Sequence, residues 1–291
     1  MSSKGSTRKP RASKAVPSIP RPGYVLVLRT CAADMTAWGG FKWPASGPVE
    51  CADWSPRAEC GNGLHGLLWG EGNGERLSWD AAARWLVVEV DENLIVSLGD
   101  KVKFPRGVVV HCGDRYSATR YIAEHGGAGR RIVGALVTVP ADGTVEAGDG
   151  STVKAGARST VKAGDGSTVE AGDGSTVEAG DGSTVKAGAR STVKAGYGST
   201  VKAGARSTVE AGDGSTVEAG DGSTVKAGDG STVKAGYGSV AVATAWNKPG
   251  YPLRAHEVGD GGLKPGVAYR VTNAGEFVEA EPAAEPSQEV A

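Results

Sequence analysis

From Asp149 to Gly236 the chain repeats eleven octads of the form x-x-Ser-Thr-Val-(Lys/Glu)-Ala-Gly, starting with Asp149-Gly-Ser-Thr-Val-Lys-Ala-Gly156. A degenerate unit precedes the array (Asp142 to Gly148) and another follows it (Tyr237 to Thr244). Strict self-similarity at a short period is the sequence mark of a solenoid, because each unit can bury its apolar face only against a copy of itself. Within the octad, Ser-Thr-Val-x-Ala alternates. Ser, Val and Ala share one face of a strand, and Thr and Lys/Glu share the other. Valine is the only sizeable apolar side chain, so its face points inward, and the small residues beside it imply a thin interior. Ala-Gly-Asp-Gly supplies the corner.

One coil could hold one, two or three octads, and the outward charges discriminate. Stacked residues of a parallel sheet lie ~4.8 Å apart, so opposite charges should alternate up a stack. The charged column runs from Glu146 and Lys154 to Lys226 and Lys234. At a spacing of eight residues 5 of 11 neighbours are opposite; at sixteen, 9 of 10; at twenty-four, 6 of 9. Sixteen residues per coil wins. One face then reads Glu146, Lys162, Glu178, Lys194, Glu210, Lys226. The other reads Lys154, Glu170, Lys186, Lys202, Glu218, Lys234, with one like-charge step at Lys186–Lys202. Exposed ion pairs contribute little each, so the pattern selects register more than it stabilises. The expected fold is mainly β: a two-sided parallel β-solenoid of about six coils, roughly 30 Å long at ~4.8 Å per coil, with an N-terminal α+β domain and a small C-terminal β cap. The flanking segments are placed to cover the solenoid ends, whose unpaired edges invite aggregation.

Ala-Gly-Tyr-Gly-Ser-Thr at 195–200, again as Ala235-Gly-Tyr-Gly-Ser239, resembles the start of the sixteen-residue repeat of bacterial ice-nucleation proteins. The resemblance implies a β-solenoid with sixteen residues per coil, ranks of Thr-x-Thr that order interfacial water, and tyrosines stacked along one edge. This chain departs from that pattern. Thr-x-Thr becomes Thr-Val-Lys or Thr-Val-Glu, as in Thr152-Val-Lys154, so each face pairs one Thr column with a charged column. Tyr197 and Tyr237 occupy the tyrosine slot on opposite edges. The segment with Gly39-Gly-Phe-Lys-Trp-Pro44, Asp53-Trp-Ser-Pro56 and Cys60-Gly-Asn-Gly-Leu-His-Gly66 is similar to an uncharacterised domain of prophage-encoded proteins, which implies a phage or mobile-element setting and no particular chemistry.

Composition divides the rest of the chain. Residues 1–22 form a basic, Ser/Pro-rich tail expected to be disordered, and 23–140 an α+β domain. The solenoid occupies 141–244, a β cap 245–279, and an acidic disordered tail 280–291. Strands are expected at Tyr24–Thr30, Trp85–Val90, Gly107–His111 and Arg131–Val139. A helix capped by Asp114 should run through Arg115–His125 and stop at Gly126. In the cap, Val267–Val271 and Glu276–Glu279 should flank a turn at Asn273–Gly275. The formal net charge of −1 gives no reason to expect nucleic-acid binding. No secretory signal or membrane-length apolar run is visible, so the default location is a reducing cytosol with free thiols, virion association being the alternative.

Chemistry-bearing residues outside the array are few. Gly61-Asn-Gly-Leu-His-Gly66 matches the form of a dinucleotide loop, but without an entering strand and a leaving helix it reads as a glycine turn. Cys51, Cys60, His65, His111 and Cys112 have the ligand types of a zinc site without a recognised spacing, and could otherwise pair as nucleophile and base. Six tryptophans between Trp38 and Trp85 suit core packing or, alternatively, a sugar platform. Asp149, Asp165, Asp181, Asp213 and Asp229 fall on one solenoid edge, either as Asp-Gly turns or as a Ca²⁺ column. No cofactor is implied.

The primary expectation is a non-enzymatic structural or binding protein whose candidate binding residues are the Thr ladder: Thr152, Thr160, Thr168, Thr176, Thr184, Thr192, Thr200, Thr208, Thr216, Thr224 and Thr232. The alternatives are ice binding through those columns, and an enzymatic or sugar-binding N-terminal domain carried on a spacer. Candidate partners are an ice or water surface, a cell-surface or virion component, and further copies joined through solenoid ends or edges.

Overall fold

A computed structural model of the chain describes residues 20–243 and 254–280. Most of the two tails expected to be disordered, and the segment around Trp246, lie outside the described residues.

The N-terminal domain is an antiparallel sheet of seven strands: β1 (Tyr24–Cys31), β2 (Gly47–Glu50), β3 (Leu64–Leu68), β4 (Arg84–Asp91), β5 (Val96–Ser97), β6 (Val102–Phe104) and β7 (Arg106–Gly113). Their spatial order is β2-β7-β4-β1-β3-β6-β5. The β-branched strands β1 and β4 lie at its centre and pair from Tyr24↔Asp91 to Cys31↔Arg84. Both faces of the sheet are apolar. One packs Leu26, Leu28, Trp85 and Val87 under helix α1 (Arg115–Ile122) through Ala118 and Ile122. The other packs Val27, Trp43, Val88, Val90 and Phe104. Asp114 caps α1 by accepting the Ser117 amide at 2.8 Å, and the chain leaves the helix through a single π turn at Ala123–Gly127, where Gly126 takes φ +104°.

The repeats form a solenoid whose coil is two octads. Thr152 stacks on Thr168, Val153 on Val169, Lys154 on Glu170 and Ala155 on Ala171, all parallel and sixteen residues apart. The second sheet repeats this with Thr160 on Thr176 and Val161 on Val177. The solenoid has seven coils, one more than expected from the repeat. The addition is Leu136–Val139, which completes a first coil with the expected unit Thr144–Ala147; they pair with the second coil as Leu136↔Thr152 and Thr144↔Thr160. Leu136–Val139 is thus what remains of the longer strand expected over Arg131–Val139, and it belongs to the solenoid rather than to the N-terminal sheet.

The interior is narrow. Its valines, from Val153 to Val233, are almost completely buried, and alanines from the same two sheets fill the space beside them. Burying a valine is worth about 1.5–3 kcal/mol, so the core stabilises by repetition rather than by bulk.

The C-terminal end is covered by strands that reverse direction. Ala268–Val271 pairs antiparallel with Thr232–Ala235, and Phe277–Glu279 pairs outside it. Arg254–Val258, a strand not expected from the sequence, pairs antiparallel with Ser239–Ala243. At the other end Leu136–Val139 and Thr144–Ala147 are the edge strands of their sheets. The N-terminal domain joins there through the corner. The Asp149 carboxylate accepts the Gly74 amide at 3.0 Å, the Asp149 carbonyl accepts the Gly134 amide at 2.8 Å, and Arg115 donates to the Gly150 carbonyl at 3.3 Å. Between α1 and the edge strands lies a groove of about 610 Å³ lined by Tyr116, Arg120, Leu136, Val145 and Glu146 among others.

Candidate functional site

The two outer faces of the solenoid are its most regular feature. On one, Thr152, Thr168, Thr184, Thr200, Thr216 and Thr232 form a single column; on the other, Thr160, Thr176, Thr192, Thr208 and Thr224 extend a column begun by Thr144. Parallel register places successive threonines one strand spacing apart, ~4.8 Å. Thr152 and Thr232, at the two ends of their column, are half-buried, and the threonines between them are exposed. The Thr152 hydroxyl meets the Tyr116 hydroxyl of the N-terminal domain at 3.5 Å. The columns close differently: Leu136 takes the Thr position below Thr152, and Val240 takes it above Thr224.

Beside each Thr column runs the charged column. Its ion pairs include Lys154–Glu170 at 4.0 Å, Lys162–Glu178 at 3.8 Å, Lys202–Glu218 at 3.1 Å and Lys226–Glu210 at 2.8 Å. The hydrogen bond from Lys226, followed by its charge, holds the Glu210 carboxyl below the usual carboxylate range. Lys186 and Lys202 stack as the one like-charge step. All these groups are exposed, so each pair contributes little on its own, and neighbouring charges are balanced rather than clustered.

The sequence reading missed two hydrogen-bond ladders beneath these faces. Every inward serine is buried, and its hydroxyl bridges coils. Ser199 Oγ accepts the Ser183 amide at 3.3 Å and donates to the Gly180 carbonyl at 3.3 Å; Ser215 does the same with Ser199 and Gly196 at 3.2 and 3.3 Å. The hydroxyl supplies a partner for a buried corner amide that lies just outside the strand, a need that alanine could not meet. At the corners, Asp165 Oδ1 accepts the Asp181 amide at 2.9 Å, and Asp181 Oδ1 accepts the Tyr197 amide at 2.8 Å. The opposite edge repeats this at Asp173–Ala189 and Asp221–Tyr237, each at 2.9 Å. The Asp column therefore serves backbone amides. Among the described residues no group of three or more His, Cys, Asp or Glu is arranged to hold a metal ion.

Corner glycines do not supply all the left-handed backbone. Arg158, Arg190 and Arg206 hold φ of +56°, +56° and +58°, and Asp142 +62°. Arg158 reaches down to Asp142 at 2.6 Å, and Arg190 to Asp173 at 3.8 Å. Tyr197 and Tyr237 are exposed on opposite edges.

In the N-terminal domain the Cys/His residues do not converge on one site. Cys60 is exposed in the loop before β3, Cys51 follows β2, His65 lies on β3, and His111 and Cys112 are neighbours on β7. Burial pushes the Cys31 and Cys51 thiols up, the reverse of an activated thiolate. His111 Nε2 meets Ser117 Oγ at 3.1 Å, and its ring stacks on Tyr121, which stacks on His125. Gly61-Asn-Gly63 is a turn leading into β3, with no helix after it. Of the six tryptophans, Trp43 and Trp85 are core residues and Trp38 is fully exposed.

A protein-family model described as a domain of unknown function (DUF7666) matches residues 25–124, and carries no indication of a phage setting. No solved structure matches the chain. The chain is 48% identical over 103 residues to the ice nucleation protein InaU of Pantoea ananas, a match covering 35% of this chain and 10% of that protein. It is 52% identical over 100 residues to an ice nucleation protein of Pseudomonas syringae, covering 34% of this chain and 9% of the relative. With an ice nucleation protein of Xanthomonas campestris pv. translucens the figures are 50% over 101 residues, 34% and 6%. The chain thus spans a tenth or less of the length of these relatives; it is itself a β-solenoid of sixteen-residue coils preceded by a domain that matches DUF7666.

Proposed function

We propose that the chain is a non-enzymatic structural or binding protein in which the solenoid is a rigid, capped scaffold presenting two flat faces of Thr and alternating Lys/Glu. The observation that carries this reading is the register: from the second coil to the sixth, threonine stacks on threonine, valine on valine and alanine on alanine, Lys and Glu alternate along each face except at Lys186–Lys202, and the inward serines bridge the coils. Such a surface is fixed before it meets a partner, which lowers the ordering cost of binding. No helix among the described residues is long and apolar enough to cross a membrane. The reading is tested on the full chain by amide exchange together with an activity screen. Uniform protection across the middle coils and no turnover support it; turnover that disappears in a Cys60, His65, His111 or Cys112 variant overturns its non-enzymatic part.

A second reading, ice binding through the Thr columns, is favoured by the similarity to ice nucleation proteins and by the unbroken stacking of Thr152 to Thr232. The strongly hydrated Lys/Glu column beside each Thr column works against an ordered water layer. Droplet freezing and thermal hysteresis decide between the two. Activity that falls when Thr152, Thr168 and Thr184 are replaced by bulky residues supports ice binding; no activity at high concentration removes it.

A further inference from the structure

The N-terminal domain holds a cluster of cations that the solenoid reading leaves unused. Between the end of β1 and the start of β3 is a cavity of about 110 Å³, lined by Arg29, Thr30, His65, Arg76, Leu77 and Lys101 among others. Of its three cationic side chains, Arg76 has a carboxylate partner, Asp100 at 2.8 Å. Among the described residues no carboxylate forms an ion pair with Arg29 or Lys101.

Arg29 is enclosed. It donates to the Thr30 carbonyl at 3.1 and 3.2 Å and to the His65 carbonyl at 3.3 Å, and its guanidinium lies 4.2 Å from the Trp43 ring centre. These partners satisfy donors without neutralising the charge, and burial pulls its pKa down to about 10. His65 Nε2 is shielded from solvent and has no hydrogen-bond partner. Burial, then the charges of Lys101 and Arg29, hold the ring below its ordinary pKa. A half-buried charge without a counter-charge and a buried ring nitrogen without a partner are both unfavourable. One kind of ligand relieves both: an anion with several acceptor oxygens.

We propose that this cavity binds a phosphate-class oxyanion, held by Arg29, Lys101 and His65. The planar guanidinium suits two oxygens of a tetrahedral anion, Lys101 supplies a point charge, and His65 Nε2 donates to a further oxygen. The volume is that of about three to four waters at ~30 Å³ each, enough for one phosphate group. Free phosphate and the phosphate of a monoester share this chemistry.

The test uses the full chain with inorganic phosphate as the probe. The imidazole resonances of His65, assigned with His65→Gln, are followed against pH in sodium phosphate and in sodium chloride of equal ionic strength. Phosphate that binds the protonated ring about tenfold more tightly raises the His65 midpoint by about one pH unit. Lys101→Gln, at a partly exposed position, should weaken phosphate binding about tenfold, and Arg29→Lys should weaken it further. O-phosphoserine in place of phosphate separates the sources: saturation by both assigns a phosphate group, and saturation by the free ion alone assigns inorganic phosphate. A midpoint equal in phosphate and chloride overturns the proposal. So does a shift of unchanged size in Lys101→Gln, which carries the test even where Arg29→Lys does not fold, or an equal saturable response to acetate.

Discussion

The hydroxyl of Ser199 donates to the carbonyl oxygen of Gly180 in the neighbouring coil at 3.3 Å, and the same oxygen atom of Ser199 accepts the Ser183 amide at 3.3 Å. The Ser183 amide is buried at the corner, where the strand ladder has ended, and the Gly180 carbonyl beside it is partly buried. Ser199→Ala removes their partner and nothing of similar polarity can replace it. The expected cost is about 1–3 kcal/mol, the price of leaving a buried polar group unsatisfied. Because a solenoid opens locally as well as globally, the effect should be greatest at the Ser183 amide, read by hydrogen exchange. Exchange at Ser183 unchanged from the parent would show that the ladder is geometric only.

The charged columns predict a salt-dependent register effect. Glu210 lies between Lys194 and Lys226 in its stack, with Lys226 at 2.8 Å. Glu210→Lys creates three consecutive lysines on one face. Repulsion between exposed charges is modest, so a loss of about 0.5–1 kcal/mol is expected at low ionic strength, shrinking as salt screens the stack. Thermal unfolding of parent and variant across a salt series checks this; a difference that persists at high salt would point to packing instead.

The same contacts set the direction of the acid response. Glu210 is held below its ordinary range by the hydrogen bond from Lys226, and Asp142 by that from Arg158. In the N-terminal domain Asp34 is drawn down to about 2 by hydrogen bonds from Thr36 and Lys42. A carboxylate whose folded pKa lies below its unfolded value, about 3.9 for Asp and 4.3 for Glu, contributes stability that is present above the unfolded value. That stability is lost as pH falls through the folded pKa. Stability should therefore hold from neutrality to about pH 5 and decline below the ordinary carboxylate range. Glu210→Gln should flatten part of that decline, as read by thermal unfolding against pH.

How far the fold was legible depends on which residues carry a mark. The charge column exposed the sixteen-residue coil because Lys and Glu differ in sign while Thr, Val and Ala are the same in every octad. Leu136-Val-Thr-Val139 carries no such mark. Its Leu136 replaces Thr and its Thr138 replaces Lys, so this first half-coil escaped notice although Val137 lies sixteen residues before Val153. The serine was legible as small and inward but not as a bridging group, because its partners come from the coil before. The arginine corners were hidden for a different reason: left-handed backbone is usually read from glycine, and Arg158, Arg190 and Arg206 adopt it in a setting that the coil geometry imposes. In the N-terminal domain, neither the isolation of His65 Nε2 nor the pairing of His111 with Ser117 can be read from spacing, since both depend on how β1, β3, β7 and α1 pack.

Two glycines of one corner should respond very differently to the same substitution. A Cβ on Gly180 would run into the Asp165 carboxylate oxygen and lie 2.7 Å from the Asp165 backbone nitrogen in the adjacent coil. That carboxylate is itself fixed by the Asp181 amide at 2.9 Å, so it cannot swing aside without leaving the amide unpaired. Gly182, two residues on, meets nothing within 4 Å but holds φ +63°. Its alanine variant has room and lacks only the preferred backbone, a cost of roughly 1–2 kcal/mol. Gly180→Ala combines overpacking, at about 1–3 kcal/mol, with loss of the exposed Asp165–Asp181 hydrogen bond, at about 0.5–1.5 kcal/mol. Amide exchange should therefore show Gly182→Ala disturbing one corner, and Gly180→Ala opening the coils on both sides of it. Equal exchange patterns in the two variants would mean that the coils are held less closely at the corner than the Asp165–Asp181 bond requires.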